Sequence, residues 1–327
     1  MCIPRRAGRG WWERWLLLVS LCAALGCMTH RRAVLSTTAL PRPVPTNTCP
    51  TSLRAMLPAH AQRWIWLRPR ALFDHPQLGP LLSELTRDSG ERALLVEAER
   101  GGVDVRTIDR VLQADRGEAS VALAAGSFDA RRVIDLHWDR MLPPQQRGEA
   151  GPGIARIEGM LGGRSVTVAT DAACGLLARA ERDPRLVDRI LDDRRTSSEV
   201  DPPELIIWHR EGAPSEAASP ESAALTASLR WTELRAEAVA DGLRVTVVLA
   251  GSLPTNTPTR MTQLLTAMAA SPIGAAVGAD DWMHPTTLAW TQQRDEWHGE
   301  FVIPWRGLRA LVALARGSVE APNRREL

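Results

Sequence analysis

The amino-acid sequence predicts an α+β fold, with antiparallel sheets and helices packed on one face, arranged as two related strand-helix-hairpin-helix halves. Three observations predict it. Short apolar runs of strand length, such as Trp64 to Leu67 and Val121 to Ala125, are bounded by arginines or glycine. Segments with leucines at helical spacing lie between them. Strand-like runs are joined by glycine turns, the connection of antiparallel hairpins rather than of parallel crossovers.

Taken in order, Leu53 to Leu57 predicts a short helical turn, and Trp64 to Leu67, between Arg63 and Arg68, a buried strand. Leu78, Leu81, Leu82 and Leu85 follow Pro76 at helical spacing, with Gly90 as the stop. Arg92 to Glu99 fits helix or strand. Strands are predicted over Thr107 to Ala114 and Ala119 to Ala125, a helix over Asp129 to Met141, and a hairpin of Ile154 to Met160 with Ser165 to Thr170 turning on Gly162 and Gly163. A helix over Pro184 to Leu191 closes this half. In the second half come strands at Leu205 to Trp208 and around Trp231 and Val247 to Ala250, a helix over Pro258 to Ala270, strands over Thr287 to Gln293 and Trp297 to Ile303, and a helix over Pro304 to Ala315.

The two halves echo each other. Val121-Ala122-Leu123-Ala124-Ala125-Gly126-Ser127 returns about 125 residues later as Val247-Val248-Leu249-Ala250-Gly251-Ser252, each ending a strand ahead of a helix. Ser127 and Ser252 read as helix caps. A strand ending in glycine before a helix is also a common junction, so the echo admits both duplication and coincidence. The polar stretch Arg194 to Pro203 and the loop Pro214 to Ser222 place the divide near residue 200. This gives domains at 51–199 and 200–320, with a tail at 321–327.

The first 26 residues have another character. Arg5, Arg6, Arg9 and Arg14 precede an apolar run from Trp15 to Gly26, the length of a signal-peptide core and short of the roughly twenty residues a spanning helix needs. Leu21-Cys22-Ala23-Ala24-Leu25-Gly26-Cys27 resembles the lipobox of bacterial lipoproteins. That resemblance implies cleavage after Gly26 and lipidation of Cys27, hence export, a membrane-lipid partner through the acylated sulfur, and a cell-envelope location. Met28 in place of aspartate implies the outer membrane, with the globule facing the periplasm or the cell surface. The residues alone also admit an ordinary secretory signal cut nearby, or an uncut anchor held by Trp11, Trp12 and Trp15. Residues 27–50, rich in Thr and Pro, read as a tether.

Without Arg5, Arg6, Arg9, Arg14 and Glu13, the chain carries 36 basic and 37 acidic residues, a balance that excludes a nucleic-acid footprint. Every basic residue is arginine. Of the five cysteines, Cys49 and Cys174 remain after Cys2, Cys22 and Cys27 and form a candidate disulfide, as expected in an oxidising compartment. The alternative is a free Cys49 and a buried apolar Cys174.

Catalytic patterns are missing from the sequence: it holds no Gly-x-Ser-x-Gly elbow, no His-Glu-x-x-His and no phosphate loop. No cofactor is expected. Asp281 and His284 share one turn but read as a solvated loop, and Asp74-His75-Pro76 as the start of a helix. His137, among Asp135, Trp138 and Asp139, reads as a half-exposed charge cluster; His209 follows a strand; alternation puts His298 and Glu300 on one face. Nine tryptophans outside the leader read as core, with Trp64 and Trp66 on one face. These features favour a binding or structural protein, presenting its surface to an envelope protein or polymer. The other class is an envelope hydrolase whose site is assembled only by folding.

Overall fold

A computed structural model describes residues 49–58, 60–88, 102–193, 200–212, 228–283 and 289–320. The stretches expected as leader and tether up to residue 48, Cys27 among them, and Gly90, Arg92 to Glu99, Pro214 to Ser222, His284 and residues 321–327 lie outside the described residues. Twelve strands form one antiparallel sheet: β1 (Arg63–Leu67), β2 (Ile108–Arg116), β3 (Ala119–Gly126), β4 (Leu142–Gly151), β5 (Ile154–Leu161), β6 (Arg164–Asp171), β7 (Leu176–Glu181), β8 (Ile206–Glu211), β9 (Leu229–Ala238), β10 (Gly242–Gly251), β11 (Ala289–Gln293) and β12 (Glu296–Pro304). Their spatial order is β11-β12-β10-β9-β8-β1-β2-β3-β7-β6-β5-β4. The helices are α1 (Pro69–Asp74), α2 (Leu78–Asp88), α3 (Ala130–Arg140), α4 (Arg185–Asp193), α5 (Thr257–Ala269), α6 (Pro272–Ala276) and α7 (Trp305–Glu320). No helix among the described residues is long and apolar enough to cross a membrane.

Alternation along the strands makes two sets of cores. Val121, Leu123 and Ala125 of β3 join Leu186, Val187, Ile190 and Leu191 of α4 on one face, together with Trp64 and Trp66. Ala124 points the other way, into a cluster with Val133, Ile134 and Met141 packed against Ile157 and Val168. The helices α1, α2, α5 and α7 cover this second face further along, over Leu243, Val245, Phe301 and Ile303. The sheet is therefore antiparallel α+β, as the sequence implies, with most helices on one face and α4 on the other. The extreme amphipathicity of α4 gives the reason, because four large apolar residues within six positions seal the face that α3 leaves bare. Burying each of these contributes roughly 1.5–3 kcal/mol relative to exposure.

The two halves meet at β1 and β8, an antiparallel pair in which Trp66 faces Ile207 and Trp64 faces His209. Outward from that seam the order β1-β2-β3-β7-β6 on one side is matched by β8-β9-β10-β12-β11 on the other. The echoed glycines occupy equivalent places. Gly126 ends β3 beside a register shift in β2, and Gly251 ends β10 beside one against β9. A Cβ at Gly126 would lie 2.5 Å from the Thr107 carbonyl oxygen, and one at Gly251 2.1 Å from that of Ser228. The amide of Gly126 donates to Gly175, at the turn before β7, and that of Gly251 to Asp295, at the turn before β12. Among the described strands only the first half continues outward, into β5 and β4.

Two strands escape the sequence reading. β4, with Pro143, Pro144 and mostly exposed polar residues, lacks alternation and pairs with β5 through two register shifts. β7 reads Leu-Leu-Ala-Arg-Ala-Glu, good helix formers, and is a strand because β3 and β6 pair along both its edges and a core covers each of its faces. The Gly162-Gly163 turn is as expected, both residues having positive φ. The serines do not cap. Asp129 accepts from the Arg132 amide at the start of α3, and Asn256, at the start of α5, makes no side-chain cap.

Candidate functional site

The N-terminal segment is fastened to the centre of the sheet. Cys49 and Cys174 form a disulfide with Cα atoms 5.2 Å apart, joining the first described residues to the turn between β6 and β7. Three residues on, Ser52 donates to Asp201 Oδ1 at 2.7 Å while its oxygen accepts from the Ala55 amide, closing the single 3₁₀ turn at Arg54–Met56. Asp201 Oδ1 also accepts from the Arg54 amide at 3.2 Å, and Oδ2 from Arg110 Nη1 at 2.8 Å. With its side chain 8% exposed and every contact charge-assisted, Asp201 clasps 51–54 and β2 to the start of the second half. Leu53 and Met56 then fill the α4-face core.

Beside the clasp, a row of side chains crosses the seam on the same face. Register places Trp64, His209, Glu233, Val248 and His298 side by side on β1, β8, β9, β10 and β12. The His209 ring stacks on Trp64 at 5.0 Å and meets Trp231, the diagonal neighbour, at 5.4 Å. The Arg54 guanidinium lies 5.3 Å over the outer face of Trp64. His209 Nδ1 lies 3.1 Å from Glu233 Oε2, and Arg235 Nε donates to Glu233 Oε1 at 2.6 Å. Burial pushes the Glu233 carboxyl up, but the bonds from His209 and Arg235 and the Arg235 charge outweigh it, so its pKa lies below the ordinary value. The cluster thus holds an imidazole between two indoles and ties it to a carboxylate that a guanidinium also engages.

The remaining candidates separate. His298 Nε2 lies 3.1 Å from Glu296, whereas Glu300 pairs with Arg244 at 3.1 Å, so His298 and Glu300 share a face without touching. Asp281 pairs with Arg306 at 2.8 Å across an exposed surface. His75 Nδ1 accepts from the amides of Gln77 and Leu78 and so starts α2, as expected of it. Among the described residues no three His, Cys, Asp or Glu side chains group as metal ligands.

His137 corrects the sequence reading. It is 2% exposed, on the stripe Val133, Ile134, His137 and Met141 that faces β5 and β6, while Asp135 turns outward to Arg131 and Arg147. Helical spacing carried that signal, hidden by the charges on either side. Nδ1 lies 2.9 Å from the Val133 carbonyl oxygen and Nε2 is buried without a hydrogen-bond partner. Burial lowers its pKa to about 4, against the Val133 bond and with help from Arg179 and Arg140. The Asp201 clasp and Glu233 were not singled out by sequence. Asp201 sits in a polar stretch that reads as linker, and Glu233 has a partner 24 residues away.

These features define an antiparallel α+β protein with a stapled N-terminal root and an aromatic and ionic seam. No family model matches the chain, and no curated protein matches it. Among solved structures, crystal form III of TP0453 aligns with a TM-score of 0.46 at 12% identity, over 82% of this chain and 99% of that one. Crystal form I gives 0.45 at 11% over 83% and 100%, and crystal form IV 0.46 at 12% over 82% and 97%. At these values the likeness assigns neither family nor function.

Proposed function

We propose that the chain is an exported lipoprotein of the cell envelope, acylated at Cys27, tethered through residues 27–50 to the outer membrane, and acting by binding or as a structural element. The observation that carries this reading is the Cys49–Cys174 disulfide, which closes a span of 125 residues right behind the tether. Disulfides persist in oxidising compartments, and this one agrees with the export that the leader implies. The clasp at Asp201 suits a protein held by its N-terminus, since it spreads a pull on the tether into β2, the chain leading to β8 and the α4-face core. The seam supports binding over catalysis, because His209 and Glu233 are engaged with each other, with Arg235 and with two indoles.

Mass spectrometry of the native N-terminus tests the reading. The expected product begins at Cys27 and carries two or three acyl chains, which together hold a protein firmly to a bilayer. Cys27→Ser is expected to abolish the acyl mass and to release the protein from detergent-only extraction or leave the leader uncut. An unmodified Cys27 in a cytosolic protein would overturn it. Fractionation of the acylated protein between inner and outer membranes tests the outer-membrane part.

A further inference from the structure

We propose that β11 is an association edge, at which two copies of this chain pair antiparallel through their β11 strands. The proposal is independent of the lipid anchor. The pseudo-twofold arrangement supplies the first observation. β11 corresponds to β6, and β6 carries β5 along its outer side, paired antiparallel from Ile154↔Asp171 to Leu161↔Arg164. Among the described strands the ladder ends at β11, with β12 on one side only. The second half therefore stops, at the level of described strands, where the first half takes another strand.

The chemistry of the two sheet edges supplies the second observation. β4 carries Pro143 and Pro144, which lack amide donors, Arg147 and Glu149, and two register shifts: the devices that keep an edge from pairing. β11 has none of them. It reads Ala289-Trp290-Thr291-Gln292-Gln293, without charge or proline, in unbroken register with β12, and Ala289, Thr291, Gln292 and Gln293 are exposed. An uncharged strand meets its own copy without like-charge repulsion, which favours a second copy over a partner chosen by charge. A helix already backs the edge, since Trp290 Nε1 donates to Thr262 of α5 at 3.1 Å.

The register follows from the hairpin. β11 and β12 turn on Arg294 and Asp295, with Gln293 opposite Glu296 as the closing pair. In a two-residue hairpin that pair exchanges hydrogen bonds, so the amides of Gln293, Thr291 and Ala289 serve β12 and those of Trp290 and Gln292 point outward. Two copies then pair symmetrically with Trp290 opposite Gln292 and Thr291 opposite its own counterpart. That central pair lies about 4.5 Å apart between Cα atoms, within disulfide reach.

Sedimentation velocity of the purified full chain in detergent, over a concentration series, is expected to show a monomer–dimer equilibrium. Gln292→Pro removes one outward amide and is expected to weaken the dimer at least about tenfold, the effect of about 1.4 kcal/mol. A second readout does not depend on how the proline variant folds: under mild oxidation Thr291→Cys is expected to form a cross-linked dimer and Gln293→Cys, which faces Ala289 of the copy, is not. A monomer at every concentration, equal cross-linking at both positions, or a dimer indifferent to Gln292→Pro with no Thr291→Cys product would each overturn the proposal.

Discussion

The two halves of the sheet share a strand order and differ in how they are closed. Around β2, β3, β6 and β7 both faces are covered, by α4 and the N-terminal segment on one and by α3 on the other, and the outer edge is guarded by β4. Around β9, β10 and β12 one face is covered by α5, α6 and α7, whereas the other carries the ionic groups Glu233, Arg235, Glu237, Arg244, His298 and Glu300, and β11 is the last of the described strands at that edge. The difference teaches how one layout divides its duties. The first half is where the chain is stapled and where most fully buried side chains gather, so it is the anchor of stability; the second keeps its polar surface and its pairing edge for other uses.

The largest test of that division is the staple. Separate replacement of Cys49 or Cys174 by Ser is expected to cost about 4 to 5 kcal/mol, the chain-entropy value for a loop of this size, read as a shift in a denaturation midpoint. The loss should fall on the first half: tryptophan fluorescence from Trp64 and Trp66 should change before hydrogen exchange opens β10 and β12. Simultaneous opening of both halves would break the comparison.

Next in size is acid. Unfolded, His137 takes a proton below about 6.5, while in the folded protein burial holds it neutral down to about 4. Stability is therefore fully present above pH 6.5 and is lost as pH falls towards 4, by about 3 kcal/mol for a shift of this size. His137→Leu is expected to remove that part of the slope. Denaturation curves at pH 7 and pH 4.5 should diverge for the native protein by about 2 to 2.5 kcal/mol more than for the variant. Equal slopes would mean that the carboxylates alone set the acid response.

Much of the fold was legible because it is locally encoded. The Gly162-Gly163 hairpin, β1 between its arginines and the amphipathic α4 are each specified within ten residues. So was the cysteine pair, by counting. What stayed hidden depends on distant partners. β7 has the residues of a helix and becomes a strand only because β3 and β6 stand ready on both sides. Asp201 reads as linker until Ser52 and Arg110 come to it from 149 and 91 residues away. The seam of Trp64, His209 and Trp231 exists only once β1 lies between β2 and β8, a pairing with no local signature. His137 was hidden for the opposite reason: its local neighbours Asp135 and Asp139 spoke louder than its helical face.

The smallest expected effect bears most directly on the kinship of the halves. Gly126 and Gly251 are read as the same position of one ancestral unit, each beside the first residue of a neighbouring strand that closes over it. Alanine at Gly126 brings a methyl to 2.5 Å from the Thr107 oxygen and 2.7 Å from Ile108 Cα; at Gly251, where φ is +146°, it meets the Ser228 oxygen at 2.1 Å and the Arg230 nitrogen at 2.8 Å. In both cases the obstacle is backbone, which cannot rotate away as a side chain can. Each substitution is expected to cost about 1–3 kcal/mol, with the backbone shift confined to its own half. Because the sites share no contact, the double variant should lose the sum of the two within about 0.5 kcal/mol. Similar costs in separate halves are what a duplicated joint requires, and a neutral Gly126→Ala beside a damaging Gly251→Ala would leave the echo as coincidence.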